Sequence, residues 1–221
     1  MRTFGYPEFL FIVEAARWTI ALSLMAFAGG AIGGLLVALA RSGDNRLARG
    51  AATLFVRIFQ GTPLLLQLFL VFFGAPVLGI DLNPWLAAGV ALILNTSAFL
   101  GEIWRGCIQA IPRGQWEAAE ALGLHYVARM RDVVLPQALK IAVPPTVGYM
   151  VQVIKGTSLA SIIGFAEVTR AGQIINNATF QPLIVFSLVA AIYFALCWPL
   201  SLLAARMERR HAAPMAPSMA P

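Results

Sequence analysis

The sequence predicts an all-α, polytopic membrane protein with five spans, and three observations carry that prediction. The chain of 221 residues is 59% hydrophobic and only 12% charged, where an ordinary globular domain carries about 25% charged residues. Its mean hydropathy is +0.78. Long uncharged runs, each near the roughly 20 residues that cross a bilayer, recur along it, and the basic residues gather in clusters between alternate runs.

The expected spans lie at about 18–40, 58–80, 82–105, 133–155 and 183–205. The first contains GGAIGG, in which Gly29 with Gly33 and Gly30 with Gly34 make two overlapping small-xxx-small patterns. Such spacing lets helix backbones approach closely in lipid. The second begins FQGTPLLLQLF, where Gly61 and Pro63 interrupt regular helix. A short connection rich in turn formers leads through Pro84 into the third span. The fourth carries Lys140 near one end, where its stem reaches the interface, and holds Pro144 and Pro145. KGTSLASIIGFAEV follows it; its uncharged part is too short to cross and reads as re-entrant or packed at the interface. Residues 1–206 then form one transmembrane domain, and the Ala-, Pro- and Met-rich tail 207–221 reads as disordered.

The net charge of +6 reports topology. Twelve of the 16 basic residues fall in three clusters: Arg41, Arg46, Arg49, Arg57; Arg105, Arg113, Arg129, Arg131, Lys140; and Arg206, Arg209, Arg210. Five spans with the amino terminus outside and the carboxyl terminus cytoplasmic put all three on the inner side. The distribution argues against nucleic acid as a partner. The first span serves as its own insertion signal, because the apolar stretch ahead of Glu14 is too short for a cleavable one. Cys107 and Cys197 fall near or within spans, and His125 and His211 lack ligand-like neighbours. No metal site or catalytic set is expected, and no H-E-x-x-H pattern occurs.

One segment breaks the apolar pattern. Between Gly114 and Ala138 the chain gathers Glu117, Glu120, His125, Arg129, Arg131 and Asp132. Trp116, Ala119 and Leu122 are spaced as one apolar face of a short helix. Gly123 permits a positive-φ bend, and a second short helix from His125 to about Val133 puts Tyr126, Met130 and Val133 on one side. A helix, bend and helix projecting into cytoplasm suits a groove on a partner or a bed of lipid headgroups. Composition leaves both open.

The residues of this loop also carry a resemblance. EAAEALGL, followed after a spacer by LPQALKIAVPP, resembles the EAA loop of inner-membrane permease subunits of ABC importers. More narrowly, FQGTPLLLQLF, GEIWRGCIQAIPRGQWEAAEALGL and VIKGTSLASIIG, in that order, resemble the permease family for polar amino acids and opines, from about Thr19 to Arg206. Gln60 stands where arginine is common in that family, and Gly156 where an acidic residue is common. Glu14 and Arg17 occupy a stretch that is usually less charged. These departures bear on substrate identity.

The resemblance implies the type I importer permease fold in a bacterial inner membrane. It implies a second permease subunit, identical or paralogous, a pair of cytoplasmic ATPases and an extracytoplasmic solute-binding protein. No G-x-x-x-x-G-K-[ST] pattern occurs here, so ATP and Mg are expected on the ATPase chains. Glu117, Ala118, Ala119, Leu122, Gly123 and Leu124 would seat in an ATPase cleft, within a coupling loop at 113–135. For the substrate pathway the candidates are Asn95, Glu102, Tyr149, Gln152, Lys155, Thr157 and Ser158. Asn95, Phe99, Glu102 and Arg105 share a helix face. A charge at mid-membrane costs about 2.5 to 3.5 kcal/mol, so Glu102 should face protein or water; it either receives a substrate amino group or pairs with Arg105. Pro145, Tyr149, Gln152 and Lys155 share another face, where Lys155 either holds a substrate carboxylate or snorkels. The alternative class, a channel or membrane enzyme without an ATPase, lacks a converging nucleophile or metal set in the sequence.

Overall fold

A computed structural model describes residues 3–212, with side chains through Arg209. Every element among them is helical: α1 (Tyr6–Ser42), α2 (Arg46–Gly61), α3 (Leu64–Gly74), α4 (Pro84–Gln109), α5 (Arg113–Ala121), α6 (Tyr126–Ala128), α7 (Leu135–Thr157), α8 (Val168–Thr179) and α9 (Pro182–Ala212). Three helices are long and apolar enough to cross a membrane, α1, α4 and the described part of α9. The number rises to five if each of two bent helix pairs is one span.

α1 is 37 residues long and starts well before the expected span. Pro7 sits in its first turn, and Glu8 accepts the Gly5 N–H at 3.0 Å, so the helix is capped upstream of Glu14. Glu14 and Arg17 ride on its exposed side. The expected run 58–80 is not one helix. α2 and α3 meet at 104°, because Pro63 cannot donate and Thr62 is extended; residues 58–61 belong to α2. At the other end, α9 continues to Ala212. Residues 207–212 of the expected disordered tail are therefore helix, and 213–221 lie outside the described residues.

α4 is the central helix, with 61% of its apolar window buried against 28% in α1 and 17% in α9. α1 packs along it through the glycines of GGAIGG. A Cβ at Gly29 would lie 2.7 Å from Ile93 Cδ1, and one at Gly34 would lie 2.9 Å from Leu100 Cβ. Gly30 rests on Thr96, Gly33 on Ser97, and Gly101 on Val37. In lipid no hydrophobic force drives helices together, so close backbone approach supplies the packing. Positions rise together on both helices, from Met25 against Gly89 to Val37 against Gly101, so α1 and α4 run parallel. α7 runs the other way: Trp104 bonds Thr146, while Gly156 packs on Leu92. The antiparallel contact of Gly148 with Ala204, with Lys155 beside Tyr193 and Cys197, returns α9 to the direction of α1.

Between α7 and α9 the chain makes a 3₁₀ turn (Ser158–Ile163), a positive-φ glycine at Gly164 with φ 88°, and then α8. α8 is bent by 47° from the helix before it. Glu167 is fully buried and caps α8, accepting the N–H groups of Thr169 at 2.8 Å and Arg170 at 2.9 Å. It also accepts the Tyr193 hydroxyl at 2.6 Å, which ties α8 to α9. Thr19 Oγ1 accepts the Val168 N–H, tying α8 to α1.

Candidate functional site

The α2–α3 break lies against the middle of α4 and creates a polar cluster there. Breaking a helix leaves carbonyls without partners. Gln67, 5% exposed, supplies them: its Nε2 donates to Phe59 O at 2.8 Å, Thr62 O at 3.0 Å and Thr62 Oγ1 at 2.9 Å. Asn95 Nδ2 donates to Gln67 Oε1 at 3.0 Å and to Phe59 O at 3.4 Å. The Tyr149 hydroxyl of α7 donates to Asn95 Oδ1 at 3.4 Å, and the Tyr149 ring stacks on Phe99 at 5.5 Å. Asn95 and Tyr149, from two expected faces, are thus brought together. Both amide ends of Asn95 are occupied by protein. Gln67 was not singled out in the sequence; its signal was an amide four residues after the Gly-Thr-Pro break.

Glu102 lies two turns beyond Asn95 along α4, with its side chain 32% exposed. It pairs with Arg105, as the spacing allowed, through Arg105 Nε to Oε2 at 3.0 Å and through Nη2 to Oε1. It also pairs with Arg41 at the end of α1, 61 positions away. Both carboxylate oxygens are engaged by guanidinium groups.

Gln152 and Lys155 are both exposed on α7. Lys155 opens on a cavity of about 270 Å³ lined with Tyr193, Phe194, Cys197, Trp198 and Ser201 of α9. The Thr157 and Ser158 hydroxyls bond back to the last turn of α7. Thr157 is buried and donates to Ile154 O at 2.7 Å, and Ser158 donates to Lys155 O at 2.7 Å.

The polar loop hangs between α4 and α7. α5 ends in a left-handed Gly123 with φ 75°. The bond from Leu124 N–H to Ala119 O at 3.1 Å, with Gly123 N–H to Glu120 O at 2.9 Å, is a Schellman closure. The expected face Trp116, Ala119 and Leu122 is divided. Trp116 packs inward on Ile108, Ile111, Met130 and Val134 and Ala119 is buried, whereas Leu122, in the cap beyond the last helical residue, is 81% exposed. Glu117, Ala118, Leu122 and Gly123 are presented outward and Leu124 is half-buried; Val127, outside the expected coupling residues, is 64% exposed. Arg129 pairs with Glu120 at 3.3 Å, and Asp132 with Arg131 at 2.7 Å. A π-helical turn (Arg129–Val134) joins α6 to α7. Pro136 lacks an N–H, and a widened turn relieves its clash with the preceding carbonyls.

Comparison with known proteins places this architecture. Residues 16–212 match the family model described as a binding-protein-dependent transport system inner membrane component. The glutamine transport system permease protein of Escherichia coli is 37% identical, with 93% of this chain and 94% of that protein covered. A probable amino-acid ABC transporter permease protein of Bacillus subtilis is 34% identical, covering 93% and 91%. The crystal structure of an amino acid ABC transporter with histidines superposes with TM-score 0.87 at 32% identity, covering 95% of this chain and all of that one. The MetNI methionine transporter in an inward-facing form shares the fold, with TM-score 0.76 at 20% identity. With the match running over nearly all of its helices, the chain belongs to the family of inner-membrane components of binding-protein-dependent transport systems.

Proposed function

We propose that this chain is the permease subunit of an ATP-driven importer that carries a polar amino acid, or an opine-like small zwitterion, across the bacterial cytoplasmic membrane. The observation that carries the reading is the loop between α4 and α7, which offers Ala118, Leu122 and Val127 outward from a packed base. An apolar ridge with charged shoulders suits a protein groove. The sequence carries no G-x-x-x-x-G-K-[ST] pattern, and this reading assigns ATP and Mg to a pair of partner ATPases, with a second permease subunit and an extracytoplasmic solute-binding protein completing the assembly.

In this reading the loop conveys rigid-body motion. α4 reaches α5 through Ala110–Pro112, and α7 follows α6 through the π turn, so a displaced loop pulls both helices. The open face of α7 turns with it. Gln152 and Lys155 there suit a zwitterion, Lys155 for the carboxylate and Gln152 for hydrogen bonds, while Asn95 and Thr157 support the helices behind that face. Reconstitution with the cognate ATPase and binding protein in proteoliposomes tests the proposal. ATP-dependent uptake of an amino acid is expected. ATP-independent flux, or uptake undiminished by Leu122→Arg, would defeat it.

A further inference from the structure

α4 and α7 are joined to the loop by the chain itself, but α1 is not. It leads into α2, and only non-covalent contacts connect its inner end to α4 and the loop. Two are specific. Arg41 pairs with Glu102 of α4, and the backbone carbonyl of the next residue, Ser42, accepts the Tyr126 hydroxyl of α6 at 3.1 Å. The Arg41 and Glu102 side chains are 16% and 32% exposed, sheltered enough for the charge pair to be only partly screened. Beyond the glycine packing, the end of α1 is thus held by α4 on one side and by the loop on the other.

We propose that Arg41 and Tyr126 are positioning residues for energy coupling: they make α1 move with α4 and the loop, so that loop displacement reaches all three as one body. The inference rests on the transport reading above. Arg105 keeps Glu102 paired when Arg41 is removed, so loss of Arg41 leaves no unpaired carboxylate.

The test is the number of solute molecules imported per ATP hydrolysed, measured on the full reconstituted complex with purified amounts matched. Arg41→Gln should lower that ratio by about fivefold or more while ATP hydrolysis continues. Arg41→Lys, which keeps the charge within reach of Glu102, should retain most of it, and Tyr126→Phe should shift it in the direction of Arg41→Gln. A purely structural role would lower the yield or melting temperature and leave the ratio alone. An unchanged ratio in Arg41→Gln, or an Arg41→Lys ratio as low as that of Arg41→Gln, overturns the inference. Absence of ATP-dependent uptake in the unaltered protein overturns instead the reading beneath it.

Discussion

Asn95 shows how a polar residue in a membrane helix acquires its role from its neighbours. Its Nδ2 serves Gln67 and the freed Phe59 carbonyl, and its Oδ1 serves Tyr149. Leaving such buried groups unpaired costs about 1–3 kcal/mol, so Asn95→Leu should lower the melting temperature of the purified protein, read by intrinsic fluorescence. Gln152→Leu, on the exposed side of α7, should leave melting unchanged and raise the apparent KM for uptake; equal melting losses in both variants would contradict this division. On the loop, the hydrogen bond from Arg131 holds the Asp132 carboxyl below its ordinary range. The stabilisation from a depressed carboxylate is complete above the unfolded pKa and is lost as pH falls through the folded one. Both partners are solvent-exposed, so Asp132→Asn should leave neutral-pH melting unchanged.

At the scale of elements, two glycine sites do different work. Gly30 and Gly34 are needed because another backbone or a short side chain occupies the space a Cβ would take. Gly30→Leu should force α1 from α4 at a cost of about 1–3 kcal/mol, seen as a lower melting temperature and poorer membrane yield. Gly123 has open space around it but a φ of 75°, costly for a side-chain-bearing residue by about 1–2 kcal/mol. Gly123→Val should therefore leave the spans folded while loosening the α5 cap and weakening ATPase association in co-purification. The sequence revealed both: GGAIGG by its spacing, Gly123 by its place between two polar helices. It concealed the cap at Glu167, because no local pattern says that a carboxylate inside an apolar stretch will meet Tyr193 across 26 positions.

For the whole molecule, the helix directions bring the starts of α1, α4 and α9 to one side and their Arg-bearing ends to the other. If the latter side is cytoplasmic, as the basic clusters require, single cysteines at Leu78 and Leu122, both highly exposed, should react with a membrane-impermeant maleimide from opposite faces. Cys107 and Cys197 are buried and should contribute little background. Labelling of both sites from the same side would refute the arrangement. The candidate pathway was legible only as two faces, because spacing along a helix fixes which residues align but not what lies opposite. Asn95 and Tyr149 proved to face each other, whereas Gln152 and Lys155 face outward.

The sequence by itself determined that the chain is helical and membrane-bound, where the small-residue packing lies, and that a polar loop with a glycine bend projects from it. These follow from hydropathy, periodicity and backbone freedom, which are local. Only the tertiary structure decided that α2 and α3 are separate helices bridged by Gln67 and Asn95, that Ala119 faces inward while Val127 faces out, and that Arg41 meets Glu102. Each depends on which helices become neighbours, and hydrogen-bond and ion-pair geometry between distant segments exists only once they are packed.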